Sequence, residues 1–315
     1  MENNLEYDIL FATGGYDNSI NMWQPSTGIC LKTFQHSESQ VNALAFSPDG
    51  RYLAAAGYKR VRLYNPQQPP NPIATSVEFM CNVNAIGFND KSQWIYTCGE
   101  DGSAKIIDLR TKGSNVIRLF QDKYALTAMI LDKRQFEVVL ANEKGQIHIW
   151  DLRNNGNTMH WPNPQAVAIN SLSMNVEGNM LAALNSQGNL MVYSIPDNSI
   201  SKMVPRATTQ AHSSYGLKVE FSPDSTTVVT CGADCKINVI KTADLSSIAT
   251  HSLPSMKWVW DCAFSADSNF LVTASSDGTA RLWNLATGEV FRQYQGNQKP
   301  LTCLAFRDHS LDKYH

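Results

Sequence analysis

The hydrophobic positions of this chain fall in short runs, cut at regular intervals by Gly, Asp, Asn and Ser, and one arrangement of them recurs. A strand of small and apolar residues meets a tight turn, and a second strand follows that ends on a large residue. It reads FATGGYDNSINMW at 11–23, AAAGYKRVRLY at 54–64, YTCGEDGSAKII at 96–107 and VLANEKGQIHIWD at 139–151. It returns as AALNSQGNLMVY at 182–193, VTCGADCKINVI at 229–240 and VTASSDGTARLWN at 272–284. The final large residues are Trp23, Tyr64, Ile107, Trp150, Tyr193, Ile240 and Trp283, separated by 41, 43, 43, 43, 47 and 43 residues. A fixed period of this size marks a repeat architecture in which each unit is one supersecondary element.

Every unit carries an earlier apolar strand, such as VNALAFSPDG at 41–50, VNAIGFND at 83–90 or VWDCAFSAD at 259–267. A fourth strand follows the large residue, as in CLKTFQ at 30–35 and EVFRQY at 289–294. The strands are rich in Val, Ile, Thr and aromatics, the breaks are Asp-Gly, Pro-Asp and Gly turns, and no helical period is sustained, which predicts an antiparallel all-β fold. The chain opens on the second strand of a unit (ILFATGG) and closes on the first strand of one (LTCLAF). Six complete units and two complementary fragments make seven. Pairing 8–35 with 300–306 in one sheet is expected to close a ring and remove the exposed edges, so that 1–315 forms one domain.

Composition narrows the function. With 26 Lys+Arg against 28 Asp+Glu, the net charge is −2 and no basic block is present, which argues against a nucleic-acid-binding surface. The N-terminal MENNLEYDILFATGG lacks a basic segment leading into a long apolar one, so no signal peptide is expected, and no stretch reads as a membrane helix. The seven cysteines are irregularly spaced, and the C-x3-C of Cys231 and Cys235 has no second pair at zinc spacing. Reduced thiols in a cytoplasmic protein are the expectation. Charged residues make up only 17%, low against about 25% in soluble proteins. Part of the surface is therefore expected to be neutral and covered.

The motifs themselves resemble those of the WD-repeat β-propellers over essentially the whole length. Trp150-Asp151 keeps the signature dipeptide, while Trp283-Asn284 and Tyr64-Asn65 are degenerate forms. The resemblance implies a seven-bladed propeller in which a His before the first strand, the Asp of the tight turn and the Trp form one hydrogen-bonded network. His212 and Asp234 match the first two roles in the sixth blade, with Ile240 in place of Trp. Asp17, Asp101 and Asp277 match the turn role elsewhere, and Lys59, Lys144 and Gln187 replace it, so those three turns are expected to be held by other means. Longer strings narrow the resemblance: ATGGYDNSINMWQPSTGICLKTFQHSESQVNALAFSPD, GEDGSAKIIDLR, AHSSYGLKVEFSPDS and WVWDCAFSADSNFLVTASSDGTARLWNLATGE. These are similar to the G-protein-β-subunit-like propellers, subunits shared by both TOR kinase complexes; the likeness is looser at 105–205. What this implies is a non-catalytic scaffold that binds the C-terminal lobe of the TOR serine/threonine kinase domain and supports its activity, with Raptor-like and Rictor-like subunits as indirect partners.

Propellers bind mainly through the loops of one rim. Alignment of the units places two position classes there. Before the tight turn stand Tyr16, Tyr58, Glu100, Glu143, Ser186, Ala233 and Ser276. Flanking the first apolar residue of the first strand are Gln40/Asn42, Asn82/Asn84, Ala125/Thr127, Ala168/Asn170, Tyr215/Leu217 and Trp258/Trp260. By strand alternation Val259 faces the core and the two tryptophans face away from it. The candidate protein-binding residues are Trp258, Trp260, Tyr215, Gln40, Asn42, Asn84, Tyr16 and Tyr58, an aromatic patch among neutral amides with little charge. Asn42 and Asn84 have a second reading, as side chains bonded to nearby backbone.

No catalytic, cofactor or metal site emerges. The histidines form no metal-ligand pair, no G-x-S-x-G, P-loop or G-x-G-x-x-G occurs, and in Glu100-Asp101 the repeat accounts for the aspartate. Two other propeller roles compete with this one. A G-protein β subunit is expected to need a long N-terminal helix, whereas this chain enters a strand by about residue 8. A substrate-recognition subunit of another assembly, such as a ubiquitin ligase, stays open as the alternative, although no added domain is evident. A phosphopeptide reader would need an arginine cluster that the rim positions lack.

Overall fold

Each repeat of the sequence folds as its own four-stranded antiparallel sheet. In the computed structural model, which describes residues 9–76, 79–111, 115–160 and 166–308, seven such sheets are arranged as a propeller. Their inner strands are Val41–Phe46, Val83–Phe88, Leu126–Leu131, Ile169–Met174, Gly216–Phe221, Val259–Phe264 and Leu301–Asp308. Each inner strand touches the next, and Leu301–Asp308 touches Val41–Phe46, which closes the circle. Blade 1 is composite, as the two chain ends require. Its inner strand, Leu301–Asp308, pairs with Ile9–Gly15, and Ser19–Trp23 and Cys30–Gln35 follow outward. Blades 2 to 7 take the chain in order.

The burial pattern explains the sequence pattern. Second strands such as Leu53–Gly57 and Glu137–Asn142 are buried at every position, because both faces of the sheet are covered by neighbouring blades. They therefore read as continuous small and apolar runs without alternation. Outer strands such as Cys30–Gln35 are mostly exposed. The seven large residues are all buried, each paired across the ladder with an apolar residue of the second strand: Phe11 with Trp23, Leu53 with Tyr64, Leu271 with Trp283. No single core exists. Among the described residues one apolar cluster fills each of the seven junctions between blades, for example Phe11, Trp23, Leu301 and Leu304 of blade 1 against Val272, Ala274 and Tyr294 of blade 7.

The tight turns confirm the reading of the aspartates. Asp17 Oδ1 accepts from the Ser19 N–H, and its Oδ2 accepts from Asn297 Nδ2 and the Gln298 N–H. Asp101 holds Ser103 and Met80 in the same way. Gly102 sits there with φ +75°, where a Cβ would fall 2.3 Å from the Asp122 carbonyl. In blade 6 His212 Nδ1 lies 2.9 Å from Asp234 Oδ1, and its Nε2 reaches Thr230 Oγ1 at 2.9 Å. With Ile240 in place of Trp, that network stops at Thr230. In blades 1 and 7 the corresponding threonines take the indole N–H of Trp23 and Trp283.

Two of the three turns without aspartate are held by an asparagine two positions earlier. Asn142 Oδ1 accepts from the Lys144 and Gln146 N–H groups, and Asn185 Oδ1 from those of Gln187 and Asn189. The third corrects the alignment. In blade 2 the Gly57 N–H donates to the Arg60 carbonyl, leaving only Tyr58 and Lys59 in the loop. Lys59 takes the left-handed position (φ +63°) of a shorter turn, so it does not stand where the aspartate stood.

One feature of the inner strands was invisible in the repeat. At the start of each, the ladder skips a residue: Asn42, Asn84, Thr127, Asn170, Leu217, Trp260 and Thr302 each occupy a β-bulge. A bulge re-aims the side chain of the extra residue. At five junctions it turns toward the neighbouring blade and donates to a backbone carbonyl there. Asn42 Nδ2 reaches Val83 O at 3.3 Å, Asn84 Nδ2 reaches Leu126 O at 2.7 Å and Asn170 Nδ2 reaches Gly216 O at 2.7 Å. Thr127 and Thr302 bond Ile169 O and Val41 O. Leu217 has no donor, and Trp260 is engaged elsewhere. The chain of clamps lapses where blade 6 meets blade 7 and where blade 7 meets blade 1.

Candidate functional site: the aromatic rim

The two position classes lie on one face, and the backbone shows it. The N–H of the residue before the tight turn donates to the carbonyl of the residue leading into the inner strand: Tyr16 to Pro300, Glu100 to Asn82, Glu143 to Ala125, Ser186 to Ala168, Ala233 to Tyr215 and Ser276 to Trp258, at 2.8 to 3.1 Å. Tyr58, in the shortened turn, bonds Ser39 Oγ instead.

On this rim the aromatic side chains stand out of the core. Tyr215 is 55% exposed, Tyr16 and Tyr58 46% each, and Trp258 44%. They occupy four consecutive blades: 6, 7, 1 and 2. Trp258 and Trp260 touch, with ring centroids 5.6 Å apart at 47°. Trp260, the bulge residue, is half-buried, and its indole N–H donates to Ser276 Oγ at 2.7 Å. Alternation alone would have sent both tryptophans to the same side. The bulge changes the reason, because it turns Trp260 along the rim, where it backs Trp258.

The three amides are placed differently. Gln40 Nε2 donates to Asn82 Oδ1 at 3.0 Å, while Asn42 and Asn84 spend their donors on the adjacent blade. All three are half-buried and already bonded, so they join blades 2, 3 and 4 together. The second reading of Asn42 and Asn84, bonds to nearby backbone, describes both.

The rim is also less neutral than the sequence reading held. Lys59, Lys236, Lys257 and Lys299 stand exposed beside the aromatics, and Lys59 Nζ lies 5.0 Å from the Tyr58 ring centroid. Glu100 and Glu143 are exposed on blades 3 and 4. Glu100 Oε2 accepts from Asn82 Nδ2, and Asp101 holds its turn. Cys231 is buried in a second strand, whereas Cys235 takes the left-handed position of a turn (φ +63°). Two of the histidines, His309 and His315, lie outside the described residues.

Charge of another kind lies among the inner strands, which with the turns that follow them line a cavity of ≈ 490 Å³. Lys218 Nζ pairs with Asp261 Oδ1 at 2.9 Å, and Asp261 Oδ2 accepts the Leu304 N–H of the next blade. Burial opposes the Lys218 charge, but Asp261 and Glu220 overcome it and hold its pKa above the ordinary value. Burial pushes Glu220 up to about 7, against the pull of Lys218. These groups join the inner strands of blades 6, 7 and 1, the stretch where the bulge clamps lapse.

Known proteins place the chain. The profile of the family described as "WD domain, G-beta repeat" matches residues 28–65, 75–108, 203–241 and 245–284, leaving the looser repeats at 109–202 unmatched. Over 314 residues the chain is 40% identical to the Target of rapamycin complex subunit LST8 of Bos taurus, covering 96% of each. The chain belongs to the LST8 family. The likeness to LST8 proteins extends to fungi: it is 37% identical to the Saccharomyces cerevisiae Target of rapamycin complex subunit LST8, over 95% of this chain and 99% of that one. It is 38% identical to Target of rapamycin complex subunit wat1 of Schizosaccharomyces pombe, over 97% and 98%. WD repeats, seven blades and ring closure by the chain ends are thus common to the sequence pattern and the fold of this chain, which the LST8 relatives match over nearly its whole length. No helix among the described residues is long and apolar enough to cross a membrane.

Proposed function

We propose that this chain is a non-catalytic subunit of TOR kinase complexes, in which the rim bearing Trp258, Trp260, Tyr215, Tyr16 and Tyr58 docks on the C-terminal lobe of the kinase domain. The observation that carries the complex membership is full-length similarity to proteins named as target of rapamycin complex subunits. What supports the rim as the contact is its chemistry. Five aromatics on four adjacent blades, four of them more than 40% exposed, form the kind of surface on which Trp and Tyr dominate binding energy. A propeller held by seven packed junctions presents that surface with little loss of entropy on binding. The scaffold acts by differential binding: it favours whichever kinase conformation presents the matching segment. Raptor-like and Rictor-like subunits are then indirect partners, and the working location is the cytoplasm.

The test is affinity purification of the tagged full chain from its own cells, followed by mass spectrometry. Recovery of a very large TOR kinase with its Raptor-like and Rictor-like partners, lost on Trp258→Ala/Trp260→Ala in a protein that still folds, is the expected result. Normal recovery by the folded double variant would refute the rim assignment. Recovery of a cullin adaptor in place of the kinase would refute the complex membership.

A further inference from the structure

The four blades that carry the exposed aromatics repeat one more feature: each presents a single lysine beside its aromatic residue. Tyr215 goes with Lys236, Trp258 with Lys257, Tyr16 with Lys299 and Tyr58 with Lys59. The backbone sets these pairs side by side. Lys236 closes the turn whose Ala233 N–H meets the Tyr215 carbonyl, and Lys299 precedes the Pro300 carbonyl that takes the Tyr16 N–H. All four lysines are exposed, and none forms an ion pair among the described residues.

Nearby carboxylates are committed elsewhere. Asp17 holds Asn297 and Gln298, Asp234 holds His212, Asp277 holds Arg281 at 2.6 Å, and Glu38 holds Arg60 at 3.1 Å. Arg60 and Arg281 match Glu38 and Asp277, while Asp17 and Asp234 keep their charge among neutral partners. The four lysines still outnumber the unmatched carboxylates, so the arc from blade 6 to blade 2 is positive in a chain whose net charge is −2. Blades 3 and 4 do not continue it, since Glu100 and Glu143 offset Lys123 and Lys144 there.

We propose that the segment received by this arc is an acidic-hydrophobic polypeptide stretch, with apolar or aromatic anchors seated among Trp258, Trp260 and Tyr215 and Asp or Glu side chains facing Lys236, Lys257, Lys299 and Lys59. This inference rests on the docking reading above and specifies the partner's chemistry. Opposite charges around an apolar centre raise the rate of encounter and set orientation, while desolvated aromatic anchors govern how long the complex lasts. The two groups of residues should therefore separate in kinetics. Lysines alternating with aromatics also suit a single nucleic-acid strand, but the net negative chain opposes a polyanion and rim lysines alone supply few phosphate contacts.

The experiment measures association and dissociation of the full-length chain with TOR kinase purified without its propeller subunit, between 50 and 500 mM NaCl. For wild type, association is expected to slow by about tenfold or more over that range. Lys59→Glu/Lys236→Glu/Lys257→Glu/Lys299→Glu should associate about tenfold more slowly at 50 mM, lose most of the salt dependence and dissociate within about threefold of wild type. The exposed positions should leave thermal stability unchanged. Trp258→Ala should dissociate faster and keep the wild-type salt dependence. If Trp258→Ala weakens binding and the charge-reversed variant associates like wild type, the acidic partner is refuted and the docking stands. If Trp258→Ala binds normally, the docking reading itself fails. A fluorescent oligouridylate that binds wild type in 150 mM NaCl and displaces the kinase would also overturn the proposal, in favour of nucleic acid.

Discussion

Trp258→Ala separates the rim from the core most sharply. A tryptophan carries up to about 250 Å² of surface, and 44% exposure leaves ~110 Å² of it available to a partner. At about 25 cal/mol per Å² that area is worth ~2.7 kcal/mol on full burial, or about two orders of magnitude in Kd. The folding cost is smaller than the buried remainder suggests, because area sums of this kind are upper bounds. The Ser276 N–H bond uses the Trp258 carbonyl, which alanine keeps, and Trp260 retains its own bond to Ser276 Oγ. A loss of about 1–2 kcal/mol and a fall of a few degrees in Tm are expected. Phe291 supplies the control: it is 62% exposed on an outer strand, away from the rim. Titration of each purified variant against the kinase gives Kd, and differential scanning fluorimetry gives Tm. Folded Trp258→Ala that binds within threefold of wild type, or Phe291→Ala that weakens binding as much as Trp258→Ala should, would refute the rim as the contact surface.

Asp17→Ala removes the acceptor for Ser19, Asn297 and Gln298, and so loosens the turn that ties blade 1 to the end of blade 7; we expect about 2–3 kcal/mol of lost stability in urea denaturation, with partial recovery by Asp17→Asn. Asn84→Ala strands the Leu126 carbonyl and should cost about 1–2 kcal/mol while leaving partner affinity unchanged; the opposite result would make Asn84 a contact residue. Burial, with Arg62 and Arg60 adding to it, lowers His36 to about 4, and burial lowers His212 despite Asp234. The contribution of His36 is complete above the ordinary histidine pKa and is lost as pH falls toward 4, and His212 acts in the same direction; Tm should drop as pH falls below the ordinary histidine range, and the His36 ring resonances should not titrate near pH 6.5. Glu220 runs the other way. Its raised pKa gives a contribution that is complete below about 4.5 and lost as pH rises through about 7, so Glu220→Gln should gain on wild type in Tm between pH 5 and pH 8.

What was legible in the sequence were the features carried by local spacing. A small-residue run, a turn and a large residue recurring every 43 residues or so dictate seven sheets, because each sheet must bury both faces against a neighbour. Ring closure follows from the complementary chain ends, and the aspartates of the turns from bonds two residues away. Trp258, Tyr215, Tyr16 and Tyr58 were legible on the rim by alignment alone, since a repeat carries equivalent positions to equivalent places. What only the tertiary structure decided involves residues far apart in the chain. Asn84 meets Leu126 across 42 positions, and Thr302 meets Val41 across 261. Those bonds depend on a bulge that no residue type announces, because Asn, Thr, Leu and Trp all occupy it. The shortened turn of blade 2 shows in its hydrogen bonds rather than in its alignment. The lysines were counted in the overall composition, where acidic residues cancel them; folding ties the turn aspartates of the arc to their own turns and leaves the ammonium groups exposed beside the aromatics. A net charge is a property of the chain, but its distribution over a face is a property of the fold.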